Sequence, residues 1–249
     1  MALPTESLIM FDLDGTLAES KMPITKEMSK ALALLFAKKR VAIISGGAWQ
    51  QFQKEVVTQL SSDSALENLF LMPASGTCLY DRKENMWKNE YEEKFTPEEK
   101  ETIIKALRQA VENNLPIPEQ VYGERIEDRG SQITFSALGQ EAPLAVKETW
   151  DKDQAKRKLV LKELTPALLQ YEVRMGGTTS IDITKKGEDK SYGIKKLAAY
   201  LMIPLADILY VGDALYEGGN DYAAKELGLH CIQVKNEKET LSLINGWLA

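Results

Sequence analysis

Short apolar runs alternate with helical segments at both ends of the chain, and this alternation limits the possible folds more than any other feature of the sequence. Each run has the length and the apolar character of a buried strand. The predicted strands lie at residues 7–11, 41–45, 68–76, 208–213 and 230–234. Because strands that are joined through helices form parallel sheets with both faces covered, the pattern predicts a Rossmann-like α/β core.

Apolar residues at helical spacing separate these strands. Thr25 is placed to cap a helix that follows the first strand, and Trp49, Phe52 and Val56 share one face of the next helix. The apolar positions of the first helix are Met28, Ala31, Leu32, Leu35 and Phe36. In the last quarter, the spacing predicts helices over 190–202 and 219–227 and a closing helix.

The middle of the chain has a different pattern, because several strand-like runs follow one another without a helix between them. These runs are MWKNEY, SQITFSAL, YEVRM and SIDIT, and helices are predicted over 96–113, where Thr96 opens a capping box, and near 152–170. Adjacent strands of this kind predict an antiparallel sheet with helices on one face. We therefore predict an α+β domain over residues 82–185, inserted into a core domain built from residues 1–81 and 186–249.

Composition excludes several functional classes. The net charge is −6, and no cluster of lysine and arginine stands out, so nucleic acid is not an expected partner. No stretch approaches the roughly 18 consecutive apolar residues of a membrane span, and no secretory signal is visible. Two cysteines, Cys78 and Cys231, cannot form a disulfide framework, which favours a cytoplasmic location.

The scarcity of histidine narrows the chemistry. His230 is the only histidine, and its strand-like surroundings favour a structural role over a catalytic one. Schemes that need a catalytic histidine, zinc sites with several histidines and phosphate loops of the Gly-rich Lys-Ser/Thr type are excluded. Catalysis would depend on carboxylates, lysine, hydroxyl groups and a metal ion.

Two aspartates follow the first predicted strand. Asp12 and Asp14 point the same way because strand side chains alternate, so two carboxylates share one small volume. Their charges repel unless a cation lies between them, which predicts a metal site. The alternative is an ordinary turn, in which Asp and Gly are common.

Further polar residues fall at or just beyond the carboxyl ends of the other predicted strands, where parallel sheets bind their ligands. They are Ser45, Gly46 and Gly47, Asp213, Asn220 and Asp221, and Lys190 at the start of a helix. Individually, Ser45 is explained as a helix cap, Lys190 as solvated surface and Asn220-Asp221 as a helix start. Together they supply a nucleophile, a second carboxylate, a hydroxyl group, a cation and metal ligands.

The motifs DLDGT, IISGG, Lys190 and GDALYEGGND occur in the order of the four signature motifs of the haloacid dehalogenase superfamily, which the chain resembles over its whole length. The predicted insertion resembles the type IIB cap of that superfamily. Three stretches, ITKEM, GGTTSIDI and GDALYEGGND, are similar to phosphomannomutases of the eukaryotic type and to related sugar-phosphate phosphatases.

The resemblance implies a role for each motif residue. Asp12 would be the nucleophile that forms an aspartyl-phosphate, and Asp14 would be the general acid and base. Mg²⁺ would be held by Asp12, Asp213 and the backbone carbonyl of Asp14, while Asp221 and Asn220 would orient Lys190 or metal-bound water. Lys190 and Ser45 would bind phosphoryl oxygens, with open backbone amides at Gly46 and Gly47.

The resemblance also implies residues that bind a small sugar phosphate. Arg129, Ser180 and Asp182 match family residues that contact sugar and phosphate, and Lys21 stands where the family has an arginine. Tyr122 and Gln140 replace two further arginines, although Arg125 or Arg174 could substitute. Fewer cationic groups for a second phosphate favour hydrolysis of a hexose phosphate such as mannose 6-phosphate.

The alternatives are a phosphomannomutase and a sugar-phosphate sensor without catalysis. A monomer and a homodimer formed through the cap both remain open.

Overall fold

The computed structural model describes residues 2–61 and 65–249, which fold as two compact units. The first unit contains the residues up to Glu92 together with Asp189–Ala249, and the second contains Glu93–Glu188. In chain order, the strands are β1 (Leu8–Asp12), β2 (Arg40–Ile44), β3 (Leu69–Met72), β4 (Cys78–Lys83), β5 (Met86–Glu92), β6 (Ile126–Asp128), β7 (Gln132–Ser136), β8 (Tyr171–Met175), β9 (Ser180–Lys185), β10 (Ile208–Gly212) and β11 (His230–Gln233). The helices are α1 (Lys26–Phe36), α2 (Trp49–Glu55), α3 (Pro97–Asn114), α4 (Leu144–Trp150), α5 (Ala155–Ala167), α6 (Lys190–Leu201), α7 (Tyr222–Glu226) and α8 (Glu237–Leu248).

The first unit is built on a seven-stranded sheet in the order β11-β10-β1-β2-β3-β4-β5. The five strands from β11 to β3 are parallel, as predicted. Phe11 pairs with Ile43 of β2 on one side and with Val211 of β10 on the other. The chain leaves β1 toward one side of the sheet and returns through β10 on the other. The carboxyl end of β1 therefore lies at a topological switch point, where such sheets bind ligands.

Both faces of this sheet are covered, because alternate residues of its strands belong to separate apolar clusters. Phe11, Ile43 and Val211 pack with residues of α1, α2 and α8. Met10 and Tyr210, one position away, pack with residues of α6 and α7. Thr25 caps α1 by accepting a hydrogen bond from the Met28 backbone N–H. The α/β core with a mostly parallel sheet is confirmed.

The first junction between the units lies later than the sequence predicted. The hairpin of β4 and β5 adds to the sheet in antiparallel orientation next to β3, so the first unit extends to Glu92 instead of residue 81. The sequence predicts the MWKNEY run as part of the insertion because no helix precedes it. Its backbone hydrogen bonds go to β4, a strand that no separate apolar run in the sequence indicates. The second junction, at residues 188 and 189, lies close to the predicted one.

The second unit contains an antiparallel sheet in the order β6-β7-β9-β8, as the sequence predicted. Its apolar core joins Phe135 and Ile183 of the sheet to Leu107 of α3 and Val160 of α5. The capping box at Thr96 is present, with reciprocal hydrogen bonds to Glu99. The sequence did not predict α4 and β6. Within the described ranges of the chain, no helix is both long enough and apolar enough to cross a bilayer.

Candidate active site

Asp12 and Lys190 form a buried ion pair at the carboxyl end of β1. Asp12 is the last residue of β1 and Lys190 is the first residue of α6, and each is at most 3 % exposed. Lys190 Nζ donates to Asp12 Oδ1 at 2.5 Å and to Asp221 Oδ1 at 2.6 Å. The ammonium group therefore bridges two carboxylates that come from distant parts of the chain.

Asp221 is held by groups from three places in the first unit. Besides the bond from Lys190, its Oδ1 accepts a hydrogen bond from the Tyr210 hydroxyl at 2.5 Å, and its Oδ2 accepts one from the Ala214 backbone N–H at 3.0 Å. Gly212 makes room for this arrangement, since a Cβ there would lie 2.4 Å from Asp221 Oδ2. Asp221 is fully buried and precedes the short helix α7.

The charges in this cluster shift the ionisation of its members. Burial raises the pKa of Asp12 above its ordinary value, and Lys190 opposes that rise while Asp221 adds to it. Burial alone would lower the pKa of Lys190, but attraction to Asp12 and Asp221 outweighs it and raises the pKa. Burial would raise the pKa of Asp221, yet Lys190 and the Tyr210 hydroxyl lower it below its ordinary value. Lys190 thus remains charged beside an ionised Asp221.

Asp14 is placed beside this cluster by a different set of contacts. Its Oδ2 accepts hydrogen bonds from Ser45 Oγ at 3.1 Å and from Gln51 Nε2 at 3.4 Å, and its Oδ1 accepts one from the Lys21 backbone N–H at 2.7 Å. Ser45 Oγ also accepts a hydrogen bond from the Gly47 backbone N–H at 3.1 Å. Asp14 is therefore a half-buried carboxylate that three donors hold in place, two residues beyond Asp12.

Asp12, Asp213 and Asp221 form a cluster of carboxylates that could hold a cation. Carboxylate oxygens from these three residues lie within 4.8 Å of one another. Gly15 permits the approach of Asp213: it has a φ of +82°, and a Cβ there would lie 2.7 Å from Asp213 Oδ2. Burial raises the pKa of Asp213, and the charge of Asp221 adds to the rise. An all-oxygen donor set of clustered carboxylates suits a hard divalent cation such as Mg²⁺.

The predicted sugar-binding residues lie in the second unit. Ser180 and Asp182 are two positions apart on β9, and Asp182 Oδ1 accepts a hydrogen bond from Thr134 Oγ1 at 2.8 Å. Arg129 binds Glu127 Oε2 through both Nε and Nη2, at 2.8 and 2.6 Å. The guanidinium group that the sequence assigned to a phosphate therefore already has a carboxylate partner within its own unit.

Some predicted residues have other surroundings than expected. Asn220 is exposed, and no hydrogen bond of its side chain appears among the described residues, so only Asp221 of this pair contacts Lys190. The Lys21 side chain is exposed, and its contact with Asp14 is made by the backbone. The Gly47 backbone N–H, which the sequence predicts to be open to a ligand, donates instead to Ser45 Oγ at 3.1 Å. His230 is exposed, begins β11 and lies 2.6 Å from Glu6, so it sits at the opposite end of its strand from the site.

Three residues of the site were not predicted. Tyr210 contacts Asp221, Gln51 contacts Asp14, and Gln51 Nε2 also donates to the buried Glu55 at 2.9 Å. The available signals were a hydroxyl-bearing tyrosine in the otherwise aliphatic ILYVG run and two polar residues four positions apart after the Gly-Gly turn. Neither signal shows that Tyr210 contacts Asp221 or that Gln51 contacts Asp14.

Several curated relatives of this chain are named phosphomannomutases. The phosphomannomutase of Encephalitozoon cuniculi (strain GB-M1) is 29% identical over 255 residues, which cover 96% of this chain and 93% of that protein. Phosphomannomutase 1 of Dictyostelium discoideum is 28% identical over 231 residues, with coverage of 89% and 88%.

Solved structures support the fold assignment at low sequence identity. The IMP-nucleotidase of Plasmodium falciparum matches with a TM-score of 0.69 and 15% identity, over 98% of this chain and 68% of that one. The C-terminal domain of the trehalose-6-phosphate phosphatase of C. albicans matches with a TM-score of 0.67 and 16% identity, over 98% and 92%.

The model of one protein family matches residues 9–241, a range that includes the whole second unit, most of the first unit and every residue of the cluster around Asp12. That family is described as haloacid dehalogenase-like hydrolase, in agreement with the order of the four motifs and with the parallel sheet. The chain belongs to the haloacid dehalogenase-like hydrolase family.

Proposed function

We propose that this chain is a phosphomannomutase-type enzyme that moves a phosphoryl group between a hexose phosphate and Asp12. The observation that carries the proposal is the buried Asp12–Lys190 pair at the switch point of the sheet, with 2.5 Å between Oδ1 and Nζ. It supplies a carboxylate nucleophile next to a fixed positive charge. The substrate class comes from the relatives, which are named phosphomannomutases and match 89% or more of this chain.

The chemistry of the proposal requires two half-reactions. In the first, an Asp12 oxygen bonds to one phosphorus of a hexose 1,6-bisphosphate, the bond from that phosphorus to the sugar oxygen breaks, and Asp14 gives its proton to that oxygen, which leaves a hexose monophosphate. In the second, the free hydroxyl of a hexose monophosphate attacks the aspartyl-phosphate, the bond from phosphorus to Asp12 breaks, and Asp14 takes the proton of that hydroxyl, which regenerates the bisphosphate. Lys190 and Ser45 stabilise the phosphoryl oxygens in both steps.

Magnesium is the expected cofactor, because the clustered carboxylates of Asp12, Asp213 and Asp221 suit a hard cation. We propose that Asp12, Asp213 and the backbone carbonyl of Asp14 hold the ion. Asp221 is not among the proposed ligands of the ion, since both of its carboxylate oxygens already accept hydrogen bonds. When bound, the ion offsets the repulsion between the Asp12 carboxylate and the phosphate.

Hydrolysis of a hexose monophosphate is the second candidate, and the second unit supplies the observation that favours it. A mutase must hold a second phosphate, for which bidentate guanidinium groups are suited. Arg129 is paired with Glu127, and Tyr122 and Gln140 occupy positions where the family resemblance leads us to expect arginine. If the second phosphate is held weakly, water replaces the sugar hydroxyl in the second half-reaction and inorganic phosphate is released.

A single assay of one enzyme preparation distinguishes the mutase from the hydrolase. Mannose 1-phosphate is supplied with Mg²⁺ and a trace of hexose 1,6-bisphosphate, and mannose 6-phosphate and inorganic phosphate are measured together. We expect isomerisation to exceed phosphate release, and we expect Asp12→Asn to lose at least about a hundredfold in both rates, because an amide is a poor nucleophile. Faster release of phosphate than of mannose 6-phosphate would replace the mutase assignment with hydrolysis. An active Asp12→Asn variant would refute both.

A further inference from the structure

Tyr210 brings a hydroxyl group into the ion-pair cluster from the middle of a hydrophobic strand. It lies on β10 between aliphatic residues and is fully buried. Its hydroxyl donates to Asp221 Oδ1 at 2.5 Å, and Lys190 Nζ lies 3.4 Å from the hydroxyl oxygen. Phenylalanine would fill the same space in the core without burying a hydroxyl group. The hydrogen bond of the Tyr210 hydroxyl to Asp221 therefore indicates a role beyond packing.

The charge balance of the cluster indicates what the hydroxyl does. Asp12 and Asp221 are buried with one ammonium group, that of Lys190, between them. Two carboxylates and one cation leave an excess of negative charge, which is costly in a buried place unless further donors offset it. The Tyr210 hydroxyl is such a donor, and hydrogen bonds to a charged acceptor are the strong ones.

The two donors meet on the same oxygen. Asp221 Oδ1 accepts from both Lys190 and Tyr210, whereas Lys190 donates to Asp221 and Asp12 and, at 3.4 Å, to the Tyr210 hydroxyl oxygen. A carboxylate oxygen that is already satisfied by a phenol attracts the ammonium group less. Without the phenol, Lys190 would move toward Asp221 and away from Asp12.

We propose that Tyr210 is a positioning residue for phosphoryl transfer, because its hydroxyl shares Asp221 Oδ1 with Lys190 and so keeps the Lys190 ammonium group at Asp12. This inference rests on the proposed function, in which Asp12 is the nucleophile. Tyr210 itself does not touch the phosphate. It acts through Asp221 and Lys190.

The direct test is Tyr210→Phe, which removes one oxygen and keeps the ring. The ring is confined, since a Cβ at Gly212 would lie 2.9 Å from Tyr210 Cε1, so phenylalanine should occupy the same place. We expect kcat, and the rate of label transfer from phosphate-labelled hexose 1,6-bisphosphate to the protein, to fall by about tenfold to a hundredfold, as loss of a hydrogen bond to a charged group predicts. The KM should change by less than about threefold.

Tyr200→Phe is the control for the loss of a tyrosine hydroxyl bonded to aspartate, although Tyr200 is 37 % exposed whereas Tyr210 is fully buried. The Tyr200 hydroxyl also donates to a buried aspartate, Asp81 Oδ2 at 2.7 Å, and also lies beside a lysine, with Lys83 Nζ at 2.9 Å. Removing this hydroxyl measures how much a hydrogen bond from tyrosine to aspartate contributes to the stability of the fold, away from the candidate active site. We expect the control to keep its kcat while its midpoint of thermal unfolding falls. An equal loss of kcat in both variants would overturn the proposal.

A double-mutant cycle tests the route through Asp221. If Tyr210 acts through that carboxylate, adding Tyr210→Phe to Asp221→Asn should lower the label-transfer rate by less than about twofold further. Additive losses, or a Tyr210→Phe rate within about twofold of the wild-type rate, would overturn the inference. Failure of the proposed function looks different, because the wild-type protein itself would then take up no label on Asp12.

Discussion

Replacing Lys190 with methionine tests the electrostatic core of the site. Methionine keeps much of the apolar stem of the side chain but removes the ammonium group that lies 2.5 Å from Asp12 and 2.6 Å from Asp221. Lys190 is 3 % exposed, so water cannot replace the lost charge without rearrangement. Removing one partner from a buried ion pair costs about 3–5 kcal/mol, since the remaining charge is left uncompensated.

This loss should depend on pH in a definite direction. Without Lys190, two carboxylates face each other in a buried place, so at least one of them holds its proton more tightly in the folded than in the unfolded protein. The folded variant then binds more protons than the unfolded chain, and its stability falls as the pH rises. For one proton, the free energy of unfolding falls by about 1.4 kcal/mol per pH unit. This slope applies between the pKa of the carboxyl group in the unfolded chain and its higher pKa in the folded variant.

Urea unfolding at pH 5.5 and pH 8, without added divalent cations, measures both effects. We expect Lys190→Met to be destabilised at pH 8 by several kcal/mol relative to the wild-type protein, and by less at pH 5.5. Lys83→Met is the control, because Lys83 also pairs with two carboxylates but its side chain is 43 % exposed. The reasoning is refuted if Lys190→Met loses less than about 1 kcal/mol at pH 8 or if its loss is the same at both pH values.

Two further predictions concern the metal site and the surroundings of Asp14. Asp213→Ala should weaken Mg²⁺ binding at least about tenfold by calorimetry, since it removes one of three clustered carboxylates, whereas unchanged affinity would exclude Asp213 as a ligand. Burial raises the pKa of Glu55 to about 7, with Gln51 opposing and Asp14 adding to the rise. The protonated carboxyl is therefore favoured in the folded state, and this contribution is lost as the pH rises from about 4.5 through 7. Gln has no such proton to lose. The free energy of unfolding of Glu55→Gln, measured with urea relative to the wild-type protein, should therefore be about 1–3 kcal/mol higher at pH 8 than at pH 5. An equal difference at both pH values would contradict this prediction.

Local sequence patterns were enough to predict the parallel core and the residues at its carboxyl edge. Apolar runs and helical spacing are local properties, and β1, β2, β3, β10 and β11 were therefore predictable from them. Asp12 and Ser45 follow such runs directly, so the direction of the chain and the parallel order of the strands suffice to bring them to one edge. The capping box at Thr96 was predictable for the same reason, because its partners are three residues apart.

Contacts between distant parts of the chain needed the folded structure. The sheet that receives β4 and β5 could not be predicted, because it depends on the pairing of β4 with β3 and not on the residues of the hairpin alone. Likewise, the pairing of Arg129 with Glu127 depends on side-chain direction, which composition does not report. Tyr210 and Lys190 meet at Asp221 only because β10, α6 and the turn before α7 converge. Such a contact joins separate parts of the chain, and no local pattern of residues encodes it.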